Sequence, residues 1–394
     1  MLKIKGSKIV DRANKTIILR GINIGGWLMM EGYMLGGRNI AEHIFKADMA
    51  KRYGKNSMTQ FTKNFRNSYF TESDIKAVKK LGFNCVRLPF NYRIVEEKEG
   101  MKYLKSIVNL FAKHKLYVIL DMHAVPGSQN IDWHSDSGGR ALFWEDEKQR
   151  KKYVRLWEKL AREFKNEDMI AGYDVMNEPV TKNTPLLTKV FQEVIAAIRK
   201  QGDQHIVFIE GNNWGMDIDF IEKLEDKNIA VSIHYYQPVE FTFNWLPGST
   251  YPGNILGKKW DKKEIERIIR GFAQFAKRLK RPLYCGEFGV ASRCDCCAKE
   301  YKWVDDVISL FKKYGIHWTY WTYKSVKGMP LPDGLYQLSD ASGIIGNAAT
   351  KSGMDNIYDI FRSRRNDLFR LLSTENFVIN KKLLKILRKQ LRPF

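Results

Sequence analysis

Two glutamates close apolar runs. In IAGYDVMNEPV, residues 170 to 180, Glu178 follows a stretch that is mostly apolar or Gly up to Asn177. Pro179 should stop the strand there, because proline has no N–H to give to a ladder. RPLYCGEFGV, residues 281 to 290, has the same design, with Gly286 and Gly289 around Glu287. Such runs read as buried parallel strands with an acid at the C-terminal tip. In a barrel of alternating strands and helices, that tip is where active sites are built. A random glutamate is most often a salt-bridged surface acid. Two in the same placement suggest a two-carboxylate site, the apparatus of glycoside hydrolysis.

Eight apolar strands alternate with helices and would position these acids, the pattern of a TIM (β/α)8 barrel. Residues 3 to 15 read as a hairpin capping the barrel bottom, and TIILRGINIGG is the first strand. The insertion from Trp27 to about residue 70 is too long for a simple loop and should wall the cleft. Thr71 and Asp74 box the start of a helix that ends at Gly82. FNCVRLPF, LYVILDMH, HIVFIEG, IAVSIHYY and IHWTYWTYK supply strands two, three, five, six and eight. Helices are expected over 101–114, 144–165, 184–200, 262–280 and 300–314. Polar 124–140 and aromatic 237–260 are catalytic-side loops. The domain reading is a catalytic barrel over 1–352 and a basic helical extension over 353–394. In that extension Leu383, Leu384, Leu387 and Leu391 form an amphipathic stripe. Packing on the barrel is expected; the alternative is a membrane-surface or partner-binding helix.

Composition narrows the partners. The 394 residues are 44% hydrophobic, enough for a large core, and the 10 Trp suit both that core and sugar-stacking surfaces. Net charge is +22, yet no helix-turn-helix, zinc-finger or RNP signature accompanies it, so nucleic acid is not expected. The basic residues are spread along surface-type helices, as in a charge-rich thermophile. Cys85 and Cys285 fall inside strands and read as small buried hydrophobes. Cys294, Cys296 and Cys297 lack the spacing and fourth ligand of a metal site; a disulfide within the cluster is the alternative. The N-terminus MLKIKGSKIV has no apolar signal region, and no apolar run reaches the length of a membrane span. A cytoplasmic enzyme is the default expectation.

The chain resembles glycoside hydrolase family 5, the cellulase family. LRGINIGGWL, GFNCVRLPF, DMH, NEP, HYY, GEFG and WTYWTYK occur in that order over roughly residues 15 to 325. One such motif arises by chance; seven in order, each at a strand end, do not. GGWL followed by an acid, and PGSQN, are most similar to the exo-β-1,3-glucanase and β-glucosidase branch. The insertion after Trp27 and WHSDSGG depart from that branch.

The resemblance implies a retaining mechanism with Glu178 as general acid/base and Glu287 as nucleophile. Glu178, desolvated and near a second carboxylate, should have a raised pKa. Glu287 must stay ionised, and Arg87 at the tip of strand two and Tyr236 on strand six are its implied partners. Asn177 is implied to bond the sugar 2-hydroxyl. A lone His is more often a satisfied core residue, but His123 and His234 fall on positions that line the sugar subsite. Trp321 is the implied stacking platform, with Trp318 on the opposite, packed face. Glu31 aligns with an acid that grips the terminal sugar, and Asn130, Asp132 and His134 are further contacts. No metal or cofactor is implied, and the partner is a carbohydrate. The expected activity is hydrolysis of β-glucans or β-glucosides. The alternative is an endo-β-1,4-glucanase or mannan-cleaving enzyme of the same family. A catalytically silent carbohydrate-binding barrel would have no use for two such carboxylates. A metal-dependent hydrolase would need the H-x-H pair or bridging acid that is missing here.

Overall fold

Strands whose two faces are both covered can be apolar throughout, and that is what the sequence supplies. The structure, a computed structural model, describes residues 1–36, 39–292, 299–328, 330–338, 361 and 365–391. The barrel strands are β1 (Arg20–Asn23), β2 (Cys85–Asn91), β3 (Tyr117–Ala124) and β4 (Ile170–Asp174). They continue with β5 (Ile206–Glu210), β6 (Ile229–His234), β7 (Leu283–Glu287) and β8 (His317–Tyr320). Each pairs in parallel with the next, and β8 pairs with β1 to close the barrel. Cys85 and Cys285 are free and buried in these strands. Trp318 packs edge-on against Phe83 and Phe288, as its packed face requires.

The N-terminal hairpin pairs Lys3–Lys5 with Lys8–Val10. Its Leu2 and Ile9 join Ile119, Ile206 and Tyr284 in an apolar plug at the barrel bottom. Functional residues are thereby confined to the other end. Thr71 N–H donates to Asp74 Oδ2 at 2.7 Å, starting the helix Glu72–Leu81, which Gly82 ends with φ 101°.

Several elements differ from expectation. The fourth strand ends at Asp174, not at Pro179; its last ladder partner is Phe208, and Glu178 lies beyond the sheet with φ 45°. Likewise β6 ends at His234, so Tyr236 stands past the ladder. The segment expected to continue strand eight leaves the barrel after Tyr320; Lys324–Val326 pairs instead with Tyr336–Leu338 in a small separate sheet. The helix expected over 144–165 is two, Leu142–Glu145 and Glu147–Phe164, because Asp146 caps the second by accepting from Lys148 N–H. The insertion walls the cleft only through its first residues. Its helices Glu42–Tyr53 and Lys55–Tyr69 turn outward, with Phe61 on Phe361 and Phe369.

The basic C-terminal helix, Lys381–Leu391, buries Leu383 and Leu387 against the barrel core. That burial contributes roughly 1.5–3 kcal/mol for each leucine. Buried Lys324 donates to the carbonyls of Tyr69 and Leu372 and to Thr374, tying insertion, barrel and extension together. The cluster Cys294, Cys296 and Cys297 and the boundary at 352/353 lie outside the described residues. Among the described residues no helix is long and apolar enough to cross a membrane.

Candidate active site

The site is built upward from one buried cation. Arg87, on β2, is fully enclosed beneath the C-terminal ends of the strands. Its Nε donates to Asp174 Oδ2 at 2.9 Å, its Nη1 to Glu287 Oε1 at 2.7 Å, and its Nη2 to Asn177 Oδ1 at 2.8 Å. Nη2 also lies 3.1 Å from Asp121 Oδ2 and 3.8 Å from Glu210 Oε2. One guanidinium cannot neutralise four carboxylates away from water. Burial accordingly pushes the Asp121, Asp174 and Glu210 carboxyls above their ordinary range, against the pull of Arg87 on each. Burial here therefore favours the neutral, protonated form of these three carboxyls.

Glu287 ends β7 with both oxygens held: Arg87 donates to Oε1, and Tyr236 OH donates to Oε2 at 2.8 Å. Both donors stabilise negative charge on it. The two glycines beside it are dictated by close approach. A Cβ at Gly286 would stand 3.0 Å from His234 Nε2, and one at Gly289 would stand 2.3 Å from the Trp321 carbonyl oxygen.

Glu178 meets imidazoles instead. His234 Nδ1 lies 2.7 Å from Glu178 Oε1 and 3.6 Å from Glu287 Oε2, and His134 Nε2 lies 3.4 Å from Glu178 Oε2. Burial raises the Glu178 carboxyl; His134 and then His123 pull it back, and Asp132 adds to the rise. The raised direction agrees with the sequence reading, but the acid neighbour that contributes is Asp132 rather than Glu287. Burial pulls the His123 imidazole down to about 3 and the His234 ring well below its ordinary value, so both are neutral. For His134 burial also pulls down, but Asp132, Glu178 and Glu31 more than offset it and lift the ring to about 9.

Above these groups opens a cavity of about 470 Å³ lined by Glu178, Glu287, His123, His234, Tyr236, Trp321 and Glu31. Trp321 stacks on His123 with ring centroids 5.5 Å apart and donates from Nε1 to Tyr33 OH at 2.6 Å. Glu31 accepts from Trp133 Nε1 at 3.3 Å, while its buried Oε1 has no hydrogen-bond partner among the described residues. Burial first, then Glu287 and Glu178, push this carboxyl up to about 8 against the pull of His134. It can therefore offer a proton to a ligand at neutral pH.

Arg87, the implied partner of Glu287, and Asn177, the implied sugar contact, are not in the cavity wall. Arg87 lies under the floor and reaches the cavity only through Glu287. Asn177 is buried with its Oδ1 occupied by Arg87, and its Nδ2 faces His134 Nδ1 at 3.5 Å. Of the loop residues, Asp132 and His134 line the cavity, whereas Asn130 donates to the Glu178 carbonyl oxygen at 2.9 Å and supports that residue.

The sequence reading missed Glu210, Tyr33, Trp133, Trp214 and Trp245. Glu210 ends an apolar strand, so the rule that selected Glu178 and Glu287 selects it too. Trp214 and Trp245, on the cavity rim, are 44% and 58% exposed and sit in segments too short to show periodicity.

Glu178, Glu210 and His234 also offer ligand atoms within 4.8 Å of one another, the one set able to hold a metal ion among the described residues. Two tetrahedral ligands with bonds of ~2.1 Å would stand roughly 3.4 Å apart. The 2.7 Å between His234 and Glu178 is instead the length of a proton-mediated contact.

Comparison with known proteins adds the lineage. The family model for Cellulase (glycosyl hydrolase family 5) matches residues 46–327. A β-xylosidase of Phanerodontia chrysosporium is 33% identical over 339 residues, covering 82% of this chain and 71% of that protein. Endoglucanase C of Acetivibrio thermocellus is 27% identical over 345 residues, covering 78% and 91%. The crystal structure of Thermotoga maritima Cel5A in complex with mannotriose has a TM-score of 0.61 at 21% identity, covering 94% of this chain and 97% of that one, a likeness of fold. Fold and family together define a barrel glycoside hydrolase. The chain belongs to glycoside hydrolase family 5.

Proposed function

We propose that this enzyme hydrolyses β-glucans or β-glucosides with retention of configuration. Glu287 attacks the anomeric carbon while Glu178 protonates the departing oxygen. Glu178 then takes a proton from the water that releases the glycosyl-enzyme. The observation that carries this reading is the pair of contacts around one nitrogen, His234 Nδ1, at 2.7 Å to Glu178 and 3.6 Å to Glu287. The two oxygens can be no farther apart than the sum of those contacts. That is short of the ~6.5–9.5 Å between carboxyls that an inverting enzyme keeps open for water. The neutral His123, the Trp321 ring and the Glu31 carboxyl would receive the sugar on the nucleophile's side.

A second reading is an endo-β-1,4-glucanase or mannan-cleaving enzyme, which the exposed Trp214 and Trp245 favour. Rings on the rim offer stacking faces for sugars beyond the scissile bond. The test is product analysis on β-1,3-, β-1,4- and β-1,6-linked gluco-oligosaccharides, mannan, and aryl β-glucosides and β-xylosides, with and without chelator. Retention on a glucan or glucoside is expected. A first product of inverted configuration would sink the mechanism. Turnover of mannan or xyloside alone would sink the substrate class.

A further inference from the structure

Glu210 is fully buried at the tip of β5, outside the cavity lining, and the proposed mechanism gives it no role. Its Oε1 accepts the Glu178 backbone N–H at 2.9 Å, holding that residue at φ 45°. Such a non-glycine conformation is strained and persists only where its surroundings fix it. Its Oε2 lies 3.3 Å from His234 Nε2, close but not aligned as a hydrogen bond, and among the described residues neither atom has a hydrogen-bond partner. The other ring nitrogen lies 2.7 Å from Glu178 Oε1. One imidazole thus joins two carboxyls.

We propose that Glu210 is a positioning residue that shares the catalytic proton with Glu178 through the neutral ring of His234. The inference rests on the reading of Glu178 as acid/base. A neutral imidazole carries one N–H. With the proton on Nδ1, the ring donates to an ionised Glu178 and accepts at Nε2 from a protonated Glu210. With the proton on Nε2, it donates to an ionised Glu210 and accepts at Nδ1 from a protonated Glu178. Both arrangements hold the same two protons, and a small turn of the ring or of the Glu210 carboxyl from the 3.3 Å contact would pair the two buried atoms that lack a partner. In passing from the first to the second, the Glu210 O–H breaks as Nε2–H forms, and Nδ1–H breaks as the Glu178 O–H forms. The ring ends neutral. The second state presents Glu178 as the acid; giving its proton to the departing oxygen leaves one proton on the ring and Glu178 ionised as the base, and the proton it then takes from water restores the second state.

The surroundings agree. Burial lifts both carboxyls and keeps the ring uncharged. Arg87 from β2, Asp174 from β4 and Glu287 from β7 act on Glu210, while His123, His134 and Asp132 act on Glu178.

Glu210→Gln tests the relay. The amide oxygen can still accept the Glu178 N–H, but the amide nitrogen can only donate to His234. That fixes the proton on Nδ1 and favours ionised Glu178. The alkaline limb of kcat/KM should fall by about one pH unit. Hydrolysis with a sugar leaving group should drop roughly tenfold or more, while a dinitrophenyl glycoside, whose leaving group departs without a proton, should change less than about twofold. Equal losses on both substrates with the limb unmoved would mean a structural role and overturn the relay. If the variant does not fold, 15N shifts of the His234 ring in the unsubstituted enzyme decide. A neutral ring with its proton divided between both nitrogens supports the relay, and an imidazolium or one fixed tautomer overturns it. Should azide rescue of Glu178→Ala fail as well, the acid/base reading itself is at fault rather than the relay alone.

Discussion

Glu178 and Glu287 line one cavity and approach the same ring nitrogen of His234, and both close an apolar run. Their surroundings differ in kind. Glu287 sits in the ladder of β7, and both its oxygens accept from fixed donors, the Arg87 guanidinium and the Tyr236 phenol. Glu178 stands past the end of β4, and its oxygens face His234 and His134. A guanidinium cannot give up its proton, whereas an imidazole can. One carboxyl accepts only from donors that keep their protons, and the other faces rings that can exchange theirs. Strand order fixes where the two acids lie; what β2 and the 124–140 loop bring beside them fixes what each can do.

The largest effect that would break this contrast comes from deleting each acid. Glu287→Ala removes the proposed nucleophile, so activity should fall by several orders of magnitude on every substrate. Glu178→Ala should still form the glycosyl-enzyme from an aryl substrate that leaves without a proton, and then stall. Azide should restore turnover to Glu178→Ala and give a product with the starting configuration. With Glu287→Ala, azide should give the inverted product, because it enters by the face the carboxylate vacated. The same stereochemistry from both variants would mean that the two acids do not differ as their surroundings indicate.

Next in size are the donors to Glu287. Arg87→Met leaves Glu287, Asp174 and Asp121 without their cation in a dry floor, and unfolding should become easier by about 3–5 kcal/mol. Tyr236→Phe takes away one hydrogen bond to a charged group, about 1.5–3 kcal/mol, so kcat should drop roughly 10- to 100-fold. A Tm change of more than a few degrees in Tyr236→Phe, or full activity, would show that Tyr236 supports the fold rather than the nucleophile.

The barrel and the two acids were legible because their signals are local. An apolar run ending in a carboxylate identifies strand and tip together. The same signal is present at YVILD, IAGYD and IVFIE, ending in Asp121, Asp174 and Glu210. Expecting two carboxylates hid the other three, Asp121, Asp174 and Glu210, that surround Arg87. The end of β4 at Asp174 was not readable from Pro179, because a strand stops where its neighbours stop offering partners, a tertiary fact. Tyr33 and Trp214 lie in single-turn segments and Trp245 in a loop, all too short for any periodicity to encode. The outward turn of the insertion depends on Phe361 and Phe369, some three hundred residues away in sequence.

The smallest effect tests the Glu178 side alone. His134, lifted to about 9, is a cation at neutral pH and lies 3.4 Å from Glu178. A neighbouring cation favours ionised Glu178, so it opposes the rise that burial causes. Replacing it in His134→Asn removes that opposition. Glu178 then keeps its proton to higher pH, and the alkaline limb of kcat/KM should move up by about one unit. The direction is opposite to that expected for Glu210→Gln, which makes the pair a check on both. Stability carries the matching sign. A His whose folded pKa lies above its unfolded value stabilises fully below about pH 6.5, and that contribution is lost as pH rises through about 9. Denaturation of the unsubstituted enzyme relative to His134→Asn should therefore show an advantage at pH 6 that has faded by pH 10. A limb that stays in place, or an advantage that grows with pH, would remove His134 from the environment that sets Glu178 apart from Glu287.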